Sequence, residues 1–394
     1  MRAAWLASVA LATAPFAHAQ GASNNQYQSG AAEARTEVQV GAGDNAAVAA
    51  IASGNAASNS SRSLSNLQHM DGTTSAHADA EISELRGYIG IFSAAVGSGL
   101  AAVSDHGALA IDSRQLSHAD THAVSTLRAT TAGDASISTA ASGNVGAVSA
   151  EFGELRLNME QDGAASVSAN AIAEAGSVTG QLSTAAIASA NNITAAGTTI
   201  TSLSSVRQDA SGQAVSARAE IRADRAGDAS SSAIANANST TIDNQWGYLN
   251  ASIRQDATTS VNAAAAVTLG EDFLGIASSS AYGVGNQAAA SNIGSDTVLD
   301  VVQNNSGAVN ADAVLSGGEG ATGLAAAAAY GNSVSGSLCS ECALGGPALS
   351  AENVQNNAGD VRARARVSAT RNETTAAAST AIGNAATFQA TPPG

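Results

Sequence analysis

The chain has 394 residues and a formal net charge of −16, with 3% aromatic and 12% charged residues. Its hydrophobic fraction of 44% is dominated by alanine, so it lacks the large side chains that each contribute roughly 1.5–3 kcal/mol to a compact core. It is also too poor in charge for a solvated disordered chain, and small, uncharged chains of this kind are more typical of exported fibrous or solenoid proteins than of enzymes.

All 16 basic residues are arginine. So acidic a chain has no attraction to nucleic acid or anionic lipid. It would also repel acidic polysaccharide, unless the clusters Arg218, Arg222, Arg225 and Arg362, Arg364, Arg366 make contact.

In chain order, residues 1–19 come first. Arg2 precedes a mostly apolar run over residues 3–16, and Ala17-His18-Ala19 is an A-x-A cleavage signal. This reads as a secretory signal peptide, too short to span a bilayer. Residues 20–390 form one repeat array, followed by a tail at 391–394. The array becomes visible when the chain is aligned on glutamine. Gln161, Gln208, Gln255, Gln303 and Gln355 each precede a valine and then alternating small residues, with weaker copies at Gln28, Gln68 and Gln115. That makes about eight units, each near 47 residues long. A second landmark is a Gly-Asn or Ala-Asn pair, ending at Asn144, Asn191, Asn238, Asn286, Asn332 and Asn384. Gly54-Asn55 fits the first unit. Glycine and asparagine tolerate positive φ, so these pairs are expected to be turns.

Between landmarks the pattern alternates. In 215–224, Val215, Ala217, Ala219, Ile221 and Ala223 would face one side, with Ser216, Arg218, Glu220, Arg222 and Asp224 on the other. Period two means strand. The rival, an alanine-rich coiled coil, would need sustained heptads of Leu or Ile, and none is seen. The expected fold is therefore all-β, a β-solenoid whose thin interior admits only small residues. Two coils of about 23 residues in each unit would give about sixteen rungs and a rod of roughly 75 Å. Gln161, Gln208, Gln255, Gln303, Gln355, Asn144, Asn286, Asn332 and Asn384 are candidates for stacked amide ladders. The alternative for them is ordinary polar turn residues. An exposed last rung is a template for another chain, so self-association is expected.

The motifs that could carry chemistry are few. Residues 318–323 match G-x-G-x-x-G, but a dinucleotide site needs a βαβ unit around it. Cys339 and Cys342 are the two cysteines. In an exported chain the expectation is a local disulfide, clipping an insertion in the longest unit. A redox or metal role and a free dithiol are the alternatives. His118, Asp120 and His122 could mark a metal site if alternation put them on one strand face, against the plainer reading of solvent-facing residues. His69, His77 and His106 lie in the same third of the chain. Trp246, Tyr248, Tyr282 and Tyr330 read as interior filler or repeat contacts rather than sugar-stacking platforms. The sequence offers no catalytic constellation and calls for no cofactor or metal.

The repeated Val-Gln-Asn-Asn and Ala-Ser-Ala-Gly-Asn units, the signal peptide and the lysine-free, alanine-rich composition resemble the holdfast anchor protein HfaD family of stalked alphaproteobacteria. More loosely, they are similar to curli-type fibre subunits, although the unit here is about twice a curlin repeat. The resemblance covers essentially the whole mature chain and implies a non-enzymatic protein of the outer cell surface. It implies export through an outer-membrane secretion channel, partnership with other holdfast anchor or curlin-like proteins, and anchorage of an adhesive surface polysaccharide. A biofilm matrix fibre subunit and a polysaccharide-processing solenoid enzyme are the other readings.

Overall fold

A computed structural model describes residues 21–340 and 346–391. The signal-peptide reading and Cys342 lie outside the described residues. Eighteen strands, from β1 (Ala22–Gln28) to β18 (Val361–Thr391), form one sheet. Every strand pairing is parallel, and no helix long and apolar enough to cross a membrane occurs among the described residues. The chain is a β-solenoid.

The register shows how the repeat becomes a coil. In β10 (Val167–Ala210) and β11 (Ala214–Gln245), Val167 faces Val215, Ala186 faces Ala233 and Asn191 faces Asn238. Each residue thus meets its equivalent in the next unit, and one unit makes one coil rather than two. The rod is correspondingly half as long as expected, roughly 35–40 Å at the usual strand spacing. The expectation of two coils failed because the Gly/Ala-Asn pairs, read as turns, lie inside the long second limb.

Each coil has three limbs. In one of them the first limb is 215–223, the second runs from 229 to 245, and the third is β12 (Leu249–Ala257). The predicted inward set Val215, Ala217, Ala219, Ile221 and Ala223 is buried. The outward arginines of this coil, Arg218, Arg222 and Arg225, are not a free basic patch. Glu220 sits between Arg218 and Arg222, Arg225 pairs with Glu271, and Glu174 lies 3.5 Å from Arg128 and 3.2 Å from Arg222 on the coils to either side. Arg362 reaches Asp360 at 2.7 Å. The exposed pairs among these are worth about 0.2–1 kcal/mol each, whereas Glu220 is buried between its two arginines.

The long second limb kinks at its Gly/Ala-Asn pair. Ala237 and Asn238 are both buried, so the pleat changes phase there and the limb's inner face turns toward a different partner. Before the kink, the second limb packs on the first in a thin, alanine-dominated layer that includes Ala219, Ala233 and Ala265. After it, the limb packs on the third in a wider layer holding Leu157, Met159, Ile193 and Ile253. Alanine therefore dominates only one of the two layers. The pairs read as positive-φ turns are not turns: the glycines at positive φ are Gly107, Gly153, Gly294 and Gly346, none of them in these pairs. They lie inside strands, and their asparagines point inward.

Candidate functional site

Two columns of buried amides run along the rod at the waist between the layers. Gln26, Gln68, Gln115, Gln161, Gln208, Gln255, Gln303 and Gln355 stand in register. Each after Gln26 donates from Nε2 to the Oε1 of the glutamine one coil earlier, at 2.7–2.9 Å, as in Gln208 to Gln161 and Gln303 to Gln255. The second N–H crosses the interior to a backbone carbonyl just past the kink. Gln161 reaches Asn192 O at 3.2 Å and Gln208 reaches Ser239 O at 3.0 Å. The column begins at Gln26, two residues before Gln28, whose partner in register is Met70.

The asparagine column has the opposite polarity. Asn144 donates to Asn191, Asn191 to Asn238, Asn238 to Asn286, Asn286 to Asn332 and Asn332 to Asn384, all at 2.8–2.9 Å. The remaining N–H goes to the residue after the ladder glutamine, as in Asn191 to Asp209 O at 2.7 Å. The two columns clamp the second and third limbs reciprocally. The physical cause is the kink, which turns carbonyls inward, where each needs a buried donor. Asn191 and Asn238, taken from sequence only as turn positions, belong to the same column.

The asparagine column has one break. Ser98 stands between Asn55 and Asn144, and both Ser98 Oγ and Asn144 Oδ1 are buried without a partner. Ser98→Asn restores a donor to Asn144 and is expected to stabilise the fold by about 1–2 kcal/mol. Urea unfolding checks this, and a lower midpoint would mean that the site lacks room for the amide.

The other sequence candidates are placed as follows. His118, Asp120 and His122 do not share a strand face. Residues 118–120 form the turn before β8 (Thr121–Ala132), and His118 swings to His69 and Asp71 instead. His122 Nε2 stays 3.7 Å from Asp120 and its Nδ1 bonds Ser168 Oγ at 2.8 Å. Tyr27 donates to Asp71 at 2.7 Å, and that bond holds the Asp71 carboxyl below the ordinary carboxylate range. Burial pushes Asp209 up, against its bond from Arg207. Residues 318–323 lie within the strand Val309–Cys339, with no helix after them, so the dinucleotide turn is absent there. Cys339 ends that strand, and the pairing of Cys339 with Cys342 is not described. Trp246 is not interior filler: it is 49% exposed at a corner with φ of 62°. Tyr282 and Tyr330 are half-buried neighbours with ring centroids 5.7 Å apart.

No curated protein and no solved structure matches the chain. A family described as holdfast attachment protein D does, over residues 56–310, a span that runs from the kink of an early coil through six of the ladder glutamines. With more than half its length matched, the chain belongs to the holdfast attachment protein D family.

Proposed function

We propose that this protein is an exported structural component of the outer cell surface that anchors adhesive polysaccharide, the holdfast, to the envelope. The observation that carries the reading is the family membership, joined to a rod whose polar interior is spent on holding coils together. Its partners on this reading are other anchor or curlin-like proteins, a secretion channel and the polysaccharide. The test is deletion of the gene in the source bacterium, followed by labelled-lectin counts on cells and in the medium. Adhesive made in normal amounts but shed into the medium is expected. Adhesive retained at wild-type levels would overturn the reading.

A second reading, a fibre subunit that assembles without a holdfast, is favoured by the rod's ends. At the N-terminal coil, Gln26 has one N–H in use, to Ala56 O, and Asn55 Oδ1 accepts no bond. At the C-terminal coil, Gln355 Oε1 accepts none, and Asn384 has one N–H in use, at 3.4 Å. Each end thus offers what the other lacks, in the same two columns. A second copy stacked head to tail would continue both ladders, as an unpaired sheet edge invites. Fibres grown from the purified chain alone would favour this reading. A monomer that lengthens only with a partner protein would favour the anchor.

A further inference from the structure

The strongest unassigned cluster lies near the N-terminal end of the rod, where the turns after the third limbs stack. His69 leaves the end of β4 (Ser63–Met70) pointing outward, and Asp71 opens the turn that follows. His118 lies one coil on, with its backbone N–H on Met70 O at 2.8 Å. The coil register thus gathers the three although 49 residues separate the histidines.

Their donor atoms form a small triangle. His69 Nε2 is 3.0 Å from Asp71 Oδ1, His118 Nδ1 is 3.6 Å from the same oxygen, and the two nitrogens are 3.2 Å apart. A tetrahedral zinc ion with ligands at about 2.0–2.1 Å sets its ligands roughly 3.3–3.4 Å apart, so the triangle matches one face of that tetrahedron. We propose that His69, Asp71 and His118 bind a divalent transition-metal ion of the zinc class, with water in the fourth position.

Two features beyond the triangle support the site. Asp71 has an outer hydrogen-bond partner of the kind that orients metal ligands, and His118 has a carboxylate nearby. Tyr27 donates to Asp71 Oδ2 at 2.7 Å, which leaves Oδ1 turned to the histidines, and Asp162 Oδ2 lies 3.9 Å from His118 Nε2. Moreover, the donor set occurs where the repeat departs from itself. Two coils further on, the positions of His69, Asp71 and His118 are taken by Asp162, Ala164 and Ser211. Two imidazoles and a carboxylate suit zinc, cobalt or nickel rather than calcium or magnesium. The ion would cross-link consecutive coils, with Tyr27 bringing in the strand before them, and so staple the N-terminal end of the rod.

The test uses the untagged mature chain, titrated with Zn²⁺ by calorimetry and with Co²⁺ by visible absorption. One ion per chain and the strong absorption of tetrahedral Co²⁺ are expected. His69→Ala and His118→Ala are expected to weaken Zn²⁺ binding roughly 100-fold or more, and Tyr27→Phe about 10–100-fold. His122→Ala should leave it unchanged, and unchanged far-ultraviolet circular dichroism will show that the variants fold. Absence of Zn²⁺ binding at micromolar concentration would overturn the site. So would binding that survives both ligand variants, or that falls equally with His122→Ala.

Discussion

Gln208→Leu is expected to destabilise the rod by about 3–5 kcal/mol, because each buried polar group left without its partner costs about 1–3 kcal/mol. Gln208 is fully buried. Its amide donates to Gln161 Oε1 at 2.8 Å and to Ser239 O at 3.0 Å. Its oxygen accepts from Gln255 at 2.7 Å and from Thr240 at 2.9 Å. Leucine fills a similar volume but answers none of the four. Gln255 still reaches Thr240 and Gln287 O, so the heaviest loss falls on Gln161 Oε1 and Ser239 O.

Position along the rod supplies the control. A solenoid's stability is approximately a sum of terms between neighbouring coils. A break in the middle divides the array, whereas one at an end merely frays it. Gln26→Leu, at the half-buried first rung of the ladder, is expected to cost about 1 kcal/mol or less. Denaturant unfolding of both variants, followed by circular dichroism, measures the difference. Equal effects at the two positions would mean that the column does not hold the coils together.

The solenoid was legible in the sequence because two periods coexist there: the alternation of strands, and the glutamine recurring near every 47 residues. The number of coils per unit was not. At the kink the two periods interfere. Ala237 and Asn238 are both buried, so alternation resumes after a phase change that resembles a turn in a Gly/Asn context. The actual corners, such as 246–248 and 294–296, are short and carry varied residues. Gln26 and Gln28 share one strand face, and only the partner across the coil distinguishes them. The histidine cluster was hidden for a related reason. Reading along the chain joined His118 to Asp120 and His122, whereas stacking by coils joins it to His69 and Asp71. Aligning the units on Gln68 and Gln115 and reading down the columns would have found the cluster.

The corners that the sequence hides are where the coils come closest, and Gly247 is the tightest case. A Cβ at Gly247 would lie 1.6 Å from Ile200 O and 2.4 Å from Ile200 C, both backbone atoms of the preceding coil. No rotamer relieves such a contact, so the corner itself must move. That corner is tied in place. Gly247 O accepts from Asn244 Nδ2 at 2.8 Å and from Asn292 Nδ2 at 3.0 Å, and Trp246 beside it already sits at φ of 62°. Gly247→Ala is therefore expected to cost about 3 kcal/mol or more, through lost buried bonds and displaced coil packing. Gly41→Ala is the matched control, since nothing lies within 4 Å of its added methyl group. It should be neutral or slightly stabilising, because alanine restricts the unfolded chain by up to about 1 kcal/mol. Thermal unfolding of the pair decides the point. If Gly247→Ala melts with Gly41→Ala, the corners are soft and register is kept by the ladders alone. If it melts far below, corner glycines and amide columns fix the register together, and a surface rod built this way fails as readily at a bend as along its core.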